Sequence, residues 1–222
     1  VAYQFNFSAI SEYSDVLVSG VAETFLLTFF GAAIGLGLGI IGGVSRAWSI
    51  KPLKQIFTVY VEIIRNTPFL VQLFFIFFGL PAIGIQLSDW QASVLAMIIN
   101  LGAYLTEIIR AGIEATPRGQ IEAAESLAMT KAQIFWYVVL PPSLFKVWPS
   151  ICSQVIIVML GSSVCSQIGT EELTYAASFI QSRNFRAFET YFVVTGIYFV
   201  MALMIRRLMI YIGGRYLGGQ KR

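Results

Sequence analysis

The sequence of 222 residues has no histidine. That removes every imidazole-based metal site, proton relay and acid–base pair. It has two cysteines, Cys152 and Cys165, both in one apolar run. On a single helix they would stand roughly 20 Å apart, beyond disulfide reach, so they are read as inert buried thiols. Charge is scarce, at 12% of residues, against about 25% in ordinary soluble domains. There is no polybasic block and the net charge is only +3, which argues against a nucleic-acid partner. No Ser/Pro-rich linker and no separate soluble domain are visible. The opening "VAYQFNFSAISEYSD" lacks the basic start of a signal peptide.

What is abundant is apolar: 57% of the residues are hydrophobic. A soluble chain of this size cannot hide that much surface. Several runs approach the roughly 20 residues that cross a bilayer as helix. The fold class is therefore all-α polytopic membrane protein, in a lipid setting. Five spans are drawn: Val16 to Val44, Ile56 to Leu80, Ala92 to Ile113, Val147 to Ile168 and Tyr191 to Ile212. Positive charge assigns their sides. The N-terminal tail holds Glu12 and Asp15 without Lys or Arg. The turn after the first span holds Arg46, Lys51 and Lys54, and the next turn only Asp89. The following loop carries Arg118, Lys131 and Lys146, and the loop after that is mixed. The C-terminal end is basic, with Arg206, Arg207, Arg215, Lys221 and Arg222. This alternation predicts the N-terminus outside and the C-terminus in the cytosol.

Two motifs are set aside. "GLGIIG", Gly37 to Gly42, has the spacing of a dinucleotide-binding turn but sits inside an apolar span rather than after a strand. Gly31, Gly35, Gly39 and Gly43 share one helix face, where they let a second helix approach closely. "GGRYLGGQKR" at the end lacks the Gly-Lys-Ser/Thr of a phosphate loop and reads as a basic cytosolic anchor. No nucleotide-hydrolysing site is present, and the chain is not read as an enzyme.

One stretch looks soluble: "TPRGQIEAAESLAMTKAQIFWYVVLP", Thr116 to Pro141. Thr116 and Pro117 suit a helix start, and Gln120 to Ala128 are strong helix formers. Thr130 and Gln133 form a T-x-x-Q capping box. A first short helix should end near Ala128 or Met129. A second should start at Thr130 and stop before Pro141-Pro142. On the first helix Ala123, Ala124 and Leu127 make a small apolar face rimmed by Glu122 and Glu125. It is either an amphipathic helix on the membrane surface or a knob for a partner's groove. Carboxylates are repelled by anionic lipid, which favours the protein partner.

Here a family resemblance enters. "GQIEAAESLAMT" resembles the cytoplasmic EAA loop of permease subunits of bacterial ATP-binding-cassette importers. Its pattern is Glu-Ala-Ala, three residues, Gly, and later Ile-x-Leu-Pro. Glu122, Ala123 and Ala124 match, as do Val138 to Pro141, while Ala128 stands where the family has Gly. "YVEIIRNTPFLVQLFFIFFGLP" (Tyr60 to Pro81) and "AYLTEIIRAGIEATPRGQ" (Ala103 to Gln120) are similar to the polar amino-acid branch. The resemblance covers most of the chain from about Gly20 onward. It implies the type I importer permease fold in a single transmembrane domain, 1–222, with residues 116–141 as the coupling loop. It implies a homo- or heterodimer of permease subunits, two cytosolic ATPase subunits that hold ATP and Mg, and an extracytoplasmic substrate-binding protein. No cofactor is expected in this chain, and the location is the bacterial inner membrane. Glu122, Ala123, Ala124, Leu127 and Ala128 are then the residues that couple to the ATPase.

Polar groups inside the spans should face the bundle interior. Gln72 and Asn100 fall near mid-depth, Ser162 and Ser163 toward the outer half of the fourth span, and Gln154 toward its inner half. They are pathway candidates, although Ser and Gln also serve as plain interhelical hydrogen-bond partners. Deeper toward the cytosol, Glu62 with Arg65 and Glu107 with Arg110 are each spaced i,i+3. Arg65 and Glu107 can also pair across helices. These four charges either hold the inner ends together or form an inner gate. Pro68 should bend the second span beside them. The family's fourth span often carries Lys-Asp-Thr-Ser where this chain has "LGSS", Leu160 to Ser163, which argues against a cationic substrate. The expected function is ATP-driven import of polar amino acids by alternating access. The rivals are a permease for an opine or methionine-like solute, and an ion-coupled carrier. Five spans with no evident internal repeat disfavour the carrier.

Overall fold

The computed structural model describes residues 4–217, and among them every regular element is helical. A short turn, Ser8–Ser11, precedes α1 (Ser14–Ala47). α2 is Leu53–Arg65, and α3 is Phe69–Ile83, which passes from α-helix into π and 3-10 turns. α4 is Asp89–Glu114 and α5 is Arg118–Ser126. α6, Lys131–Ile168, includes a π stretch at Ile134–Val139 and ends in a 3-10 segment, Ser162–Ile168. α7 is Leu173–Asn184 and α8 is Ala187–Ile212, followed by a π turn, Gly213–Leu217. The basic C-terminal anchor is thus described only as far as Leu217, and its Lys221 and Arg222 lie outside the described residues.

α1, α4, α6 and α8 are long and apolar enough to cross a membrane, and α2 with α3 makes a fifth span if the bent pair is taken as one. The second span is therefore not a single run from Ile56 to Leu80. α2 and α3 meet at 111°. Thr67 precedes a proline, which pushes it out of helical geometry. Pro68 itself is extended (ψ 139) and starts α3 as its N-cap. The loop before the last span, read in the sequence only for its mixed charge, contains a 12-residue helix, α7. One other expectation is corrected: the helix begun at Thr130 does not stop before Pro141-Pro142 but runs on through them. Proline lacks the N–H for the usual bond and clashes with the carbonyl four back. The π stretch ends just before the pair, with Leu140 N–H bonded five residues back to Phe135 O. The wider turn loosens the backbone where the prolines follow.

The chain forms two compact units. The first comprises Val1–Ala32, Pro68–Ile98 and Ile156–Ile205, and the second Ala33–Thr67, Ile99–Val155 and Arg206–Arg222. In the first unit Leu27, Leu73, Met97, Met159, Leu173 and Ile180 are fully buried. Thr24 ties the layers: its Oγ1 accepts the Leu173 N–H at 3.2 Å and donates to Gly20 O at 2.9 Å. The Ser93 and Thr170 hydroxyls bond at 2.8 Å. In the second unit Leu101, Leu105, Ile109 and Ile151 fill the core. Tyr60 OH donates to Ile99 O at 2.5 Å, and Trp148 Nε1 donates to Met209 O at 2.8 Å.

The glycine face of α1 packs against α4 as expected. A Cβ on Gly39 would sit 2.5 Å from the Cβ of Leu105, and one on Gly43 2.8 Å from Ile109 Cγ2. Within the first unit, Gly31 lies against Met97 in the same way, at 3.2 Å. Of the spanning windows, α4's is 61% buried and α8's 17%. α4 is the central helix, and α8 presents Phe192, Phe199, Leu203 and Leu208 outward. An exposed apolar surface of that extent needs lipid or a partner.

Candidate functional site

The soluble-looking stretch folds into a small, closely capped structure in the second unit. Pro117 is extended (φ -60, ψ 131) and takes the N-cap of α5. Thr116, expected to share that role, instead places its hydroxyl 3.2 Å from that of Ser143. α5 stops at Ser126, slightly earlier than expected. Its C-terminus closes with two bonds, Ala128 N–H to Glu125 O at 2.9 Å and Met129 N–H to Ala124 O at 3.2 Å. This is a Schellman turn, which needs a left-handed residue after the cap. Ala128 supplies it at φ 55. A Cβ in that conformation costs about 1 kcal/mol. The expected capping box follows: Thr130 Oγ1 accepts the Gln133 N–H at 3.3 Å, and Gln133 Oε1 accepts the Thr130 N–H at 2.8 Å.

The apolar face of α5 is divided. Ala124 is 4% exposed and α5 packs on the Ile134–Val139 turn, where Ile134 and Phe135 are buried. Ala124 is thus a foundation of the loop, not part of its outer face as the sequence suggested. Glu122, Ala123 and Ala128 are exposed, and Leu127 is 78% exposed. α5 has 9 residues, too few to cross a bilayer. It presents a bare leucine flanked by carboxylates, which suits a protein groove better than anionic lipid.

A second cluster lies at the end of α1, α2 and α4, also in the second unit. Glu107 is held from both sides. Arg46 NH1 reaches its Oε2 at 2.5 Å, and Arg110 reaches its Oε1 through Nε at 3.0 Å and through a second nitrogen. Arg110 also pairs with Glu114 at 2.5 Å. The expected Glu107–Arg110 pair is therefore present. The cross-helix partner of Glu107 is Arg46, not Arg65. Arg46 sits in the last turn of α1, where a helix end favours a cation. Arg65 makes no ion pair with Glu62 or Glu107; its guanidinium lies over the Tyr104 ring, 5.3 Å from the centroid. A cleft of about 350 Å³ opens there, lined by Arg46, Glu62, Arg65, Asn66, Tyr104 and Glu107.

The pathway candidates divide between the units. Gln72 is buried on α3, and Ser162 is buried at the start of the 3-10 end of α6. Those two elements pack together in the first unit. Ser162 and Ser163 give their hydroxyls to Met159 O at 2.6 Å and Leu160 O at 2.7 Å. Asn100 on α4 and Gln154 on α6 are half-buried members of the second unit.

The first unit also buries two carboxylates that the sequence reading did not single out. Glu172 caps α7, accepting the Tyr175 N–H at 2.9 Å and the Tyr198 OH at 2.6 Å. Burial pushes its carboxyl above the ordinary range, although these donors pull the other way. Glu189 accepts from Arg186 at 3.0 Å and from the Asn6 N–H at 3.1 Å. Glu172 lies three residues before the Tyr175 N–H it caps, but Glu is not one of the side chains that ordinarily mark a helix start, so nothing in the sequence signalled this role. Arg46 had been used only as a marker of sidedness. Among the described residues no group of three or more Cys, Asp or Glu is placed to hold a metal.

Comparison with known proteins fits this geometry. The profile of the family described as binding-protein-dependent transport system inner membrane component matches residues 17–216. The chain is 32% identical over 198 residues to the probable glutamine ABC transporter permease protein GlnM of Bacillus subtilis (strain 168), covering 89% of this chain and 92% of that one. It is 32% identical to the glutamine transport system permease protein GlnP of Escherichia coli (strain K12), covering 91% and 93%. A crystal structure described as an amino acid ABC transporter with histidines superposes with a TM-score of 0.87 at 38% identity, covering 96% and 100%. The inward-facing MetNI methionine ABC transporter shares the fold, with a TM-score of 0.72 at 22% identity, covering 93% and 97%.

Proposed function

Because the chain belongs to the family of binding-protein-dependent transport system inner membrane components, we propose that it is the membrane-spanning subunit of an ATP-driven importer for polar amino acids. The observation that carries this is α5: a capped nine-residue helix outside the spans, standing on Ala124, with Glu122 and Leu127 turned outward. In this reading α5 docks in a groove of a separate ATPase subunit, and residues 116–141 are the coupling loop. ATP closes two such subunits and draws the α5 helices of two permease chains together. The pathway then opens outward to receive solute from an extracytoplasmic binding protein, and hydrolysis resets it. ATP and Mg belong to the partner, and this chain catalyses nothing.

The substrate class follows the glutamine permeases GlnM and GlnP. Gln72, Asn100, Gln154, Ser162 and Ser163 are the polar groups offered to it. Glu62, Arg65, Glu107 and Arg110 act as the inner gate, with Arg46 as the partner that holds Glu107. The second unit faces the cytosol and the N-terminus lies outside, in keeping with the positive-inside rule.

The test is uptake of radiolabelled glutamine into proteoliposomes that hold the permease, its ATPase and internal ATP, with binding protein outside. Wild type should accumulate glutamine only with ATP. Glu122→Lys should abolish uptake while the chain still inserts. Undiminished uptake by Glu122→Lys would overturn the coupling role of α5.

A further inference from the structure

The cleft of the second unit has a feature that a gate alone does not use. Its wall and rim carry two cations, Arg46 and Arg65, and two carboxylates, Glu62 and Glu107. Arg46 and Glu107 are committed to each other at 2.5 Å. Arg65 and Glu62 are not: both are exposed, and neither has an ion pair among the described residues. Residues three apart on a helix share a face, so this is the spacing at which an Arg and a Glu commonly close on each other. Here the Arg65 guanidinium sits over the Tyr104 ring instead, 5.3 Å from its centroid. The ring holds the cation in place, and with no ion pair the exposed guanidinium keeps N–H groups for a carboxylate, which an arginine can grip by a fork of two bonds. The free Glu62 carboxylate stands on the same face, ready to accept from an ammonium. The cleft's charges sum to zero, so it offers no net attraction to a simple anion or cation. Its volume of about 350 Å³ lies at the lower end of small-molecule sites.

We propose that this cleft is a binding site for an α-amino acid zwitterion, with Arg65 holding the α-carboxylate and Glu62 the α-ammonium. Arg46 and Glu107 form its fixed back wall, and Tyr104 orients Arg65. The inference rests on the reading of the chain as an amino-acid permease and gives its cytosolic half a site of its own. From there, substrate accumulated inside would hold the transporter in one state. The ethanolamine headgroup of a phospholipid offers the same pairing of anion and ammonium, so the test separates the two sources.

The experiment uses the full permease with its ATPase subunits in nanodiscs of phosphatidylglycerol alone, without binding protein. Binding of L-glutamine is compared with that of N-acetylglutamine, which lacks the ammonium, and glutaminamide, which lacks the carboxylate. Arg65→Gln should weaken glutamine binding about tenfold or more, the worth of a charge-assisted bond, yet leave glutaminamide unchanged. Glu62→Gln should weaken glutamine similarly and leave N-acetylglutamine unchanged. Arg65→Lys, which keeps charge and bulk, should fall between. Equal losses for all three ligands in either variant would overturn the assignment, as would no loss for glutamine. Retention of phosphatidylethanolamine that falls in both variants, with glutamine binding unaltered, would give the cleft to lipid and overturn it too. ATP-driven glutamine uptake by the wild type is measured alongside. If that uptake stands while binding ignores Arg65 and Glu62, this site fails and the permease reading survives; if uptake is absent, the permease reading itself fails.

Discussion

The two units of this chain differ in charge, and Glu172 of the first is held differently from Glu107 of the second. Among the described residues the first holds two Lys or Arg against seven Asp or Glu, and the second eleven against five. The first unit satisfies its buried Glu172 with a tyrosine hydroxyl and a backbone N–H. The second satisfies Glu107 with two guanidiniums, Arg46 and Arg110. A carboxylate held by neutral donors is a fixed part of a wall, because those donors bond a neutral amide nearly as well. A carboxylate between two arginines depends on its charge. It is strong when closed, and expensive to leave half-open. The charge-dependent cluster lies in the same unit as α5, the helix assigned to the ATPase, and that is where a device that must break and re-form is useful.

One substitution made in both units puts this contrast to the test. Glu107→Gln strands Arg46 beside a neutral group, leaves Arg110 with Glu114 alone, and should cost roughly 2–3 kcal/mol. For a chain of this size that is a fall of several degrees in the unfolding midpoint. Equal shifts for Glu107→Gln and Glu172→Gln would erase the contrast. Ala128→Gly comes next. It relieves the left-handed alanine at φ 55 and should raise stability by about 1 kcal/mol, less what a glycine gains in the unfolded chain. A destabilised Ala128→Gly would show that the turn is not held as described.

The smallest effect is expected at Glu172→Gln, under about 1 kcal/mol at neutral pH. Its pH dependence has a definite sign. The folded carboxyl titrates above its usual range because it is buried. Between the unfolded and folded values the native state holds the extra proton, so stability falls as pH rises through that window. Glu172→Gln removes this slope, and its stability relative to wild type should improve as pH climbs from the ordinary carboxylate range. A relative stability that declines over that range would mean that the ionised form is the one the fold favours.

The parts of the fold written in periodicity and capping were legible in the sequence. The apolar runs gave the spans, the glycine face of α1 its packing on α4, and Thr130 with Gln133 their box. What escaped depends on backbone bonding that composition does not encode. A π stretch carries α6 through Pro141-Pro142, where proline chemistry alone predicts a stop. The break at Thr67–Pro68 was foreseen as a bend, but a proline in the sequence does not give its 111°. In the candidate site, Glu122 and Leu127 were readable as an outer face, whereas the inward turn of Ala124 was not, since two adjacent alanines give no phase. Arg46 was missed as the partner of Glu107 because the two are far apart in sequence and joined only by the packing of α1 on α4.

The central claim is that α5 meets the ATPase, and contact is its most direct measure. Leu127 is 78% exposed while Ala124 is 4% exposed, and the native Cys152 and Cys165 are buried. With Leu127→Cys and a short reagent that joins a thiol to an amine, the assembled transporter should yield a permease–ATPase adduct whose yield changes when ATP is bound. The same experiment with Ala124→Cys in place of Leu127→Cys should yield none. If Leu127→Cys gives no adduct in a complex that still hydrolyses ATP and takes up glutamine, α5 is not the joint.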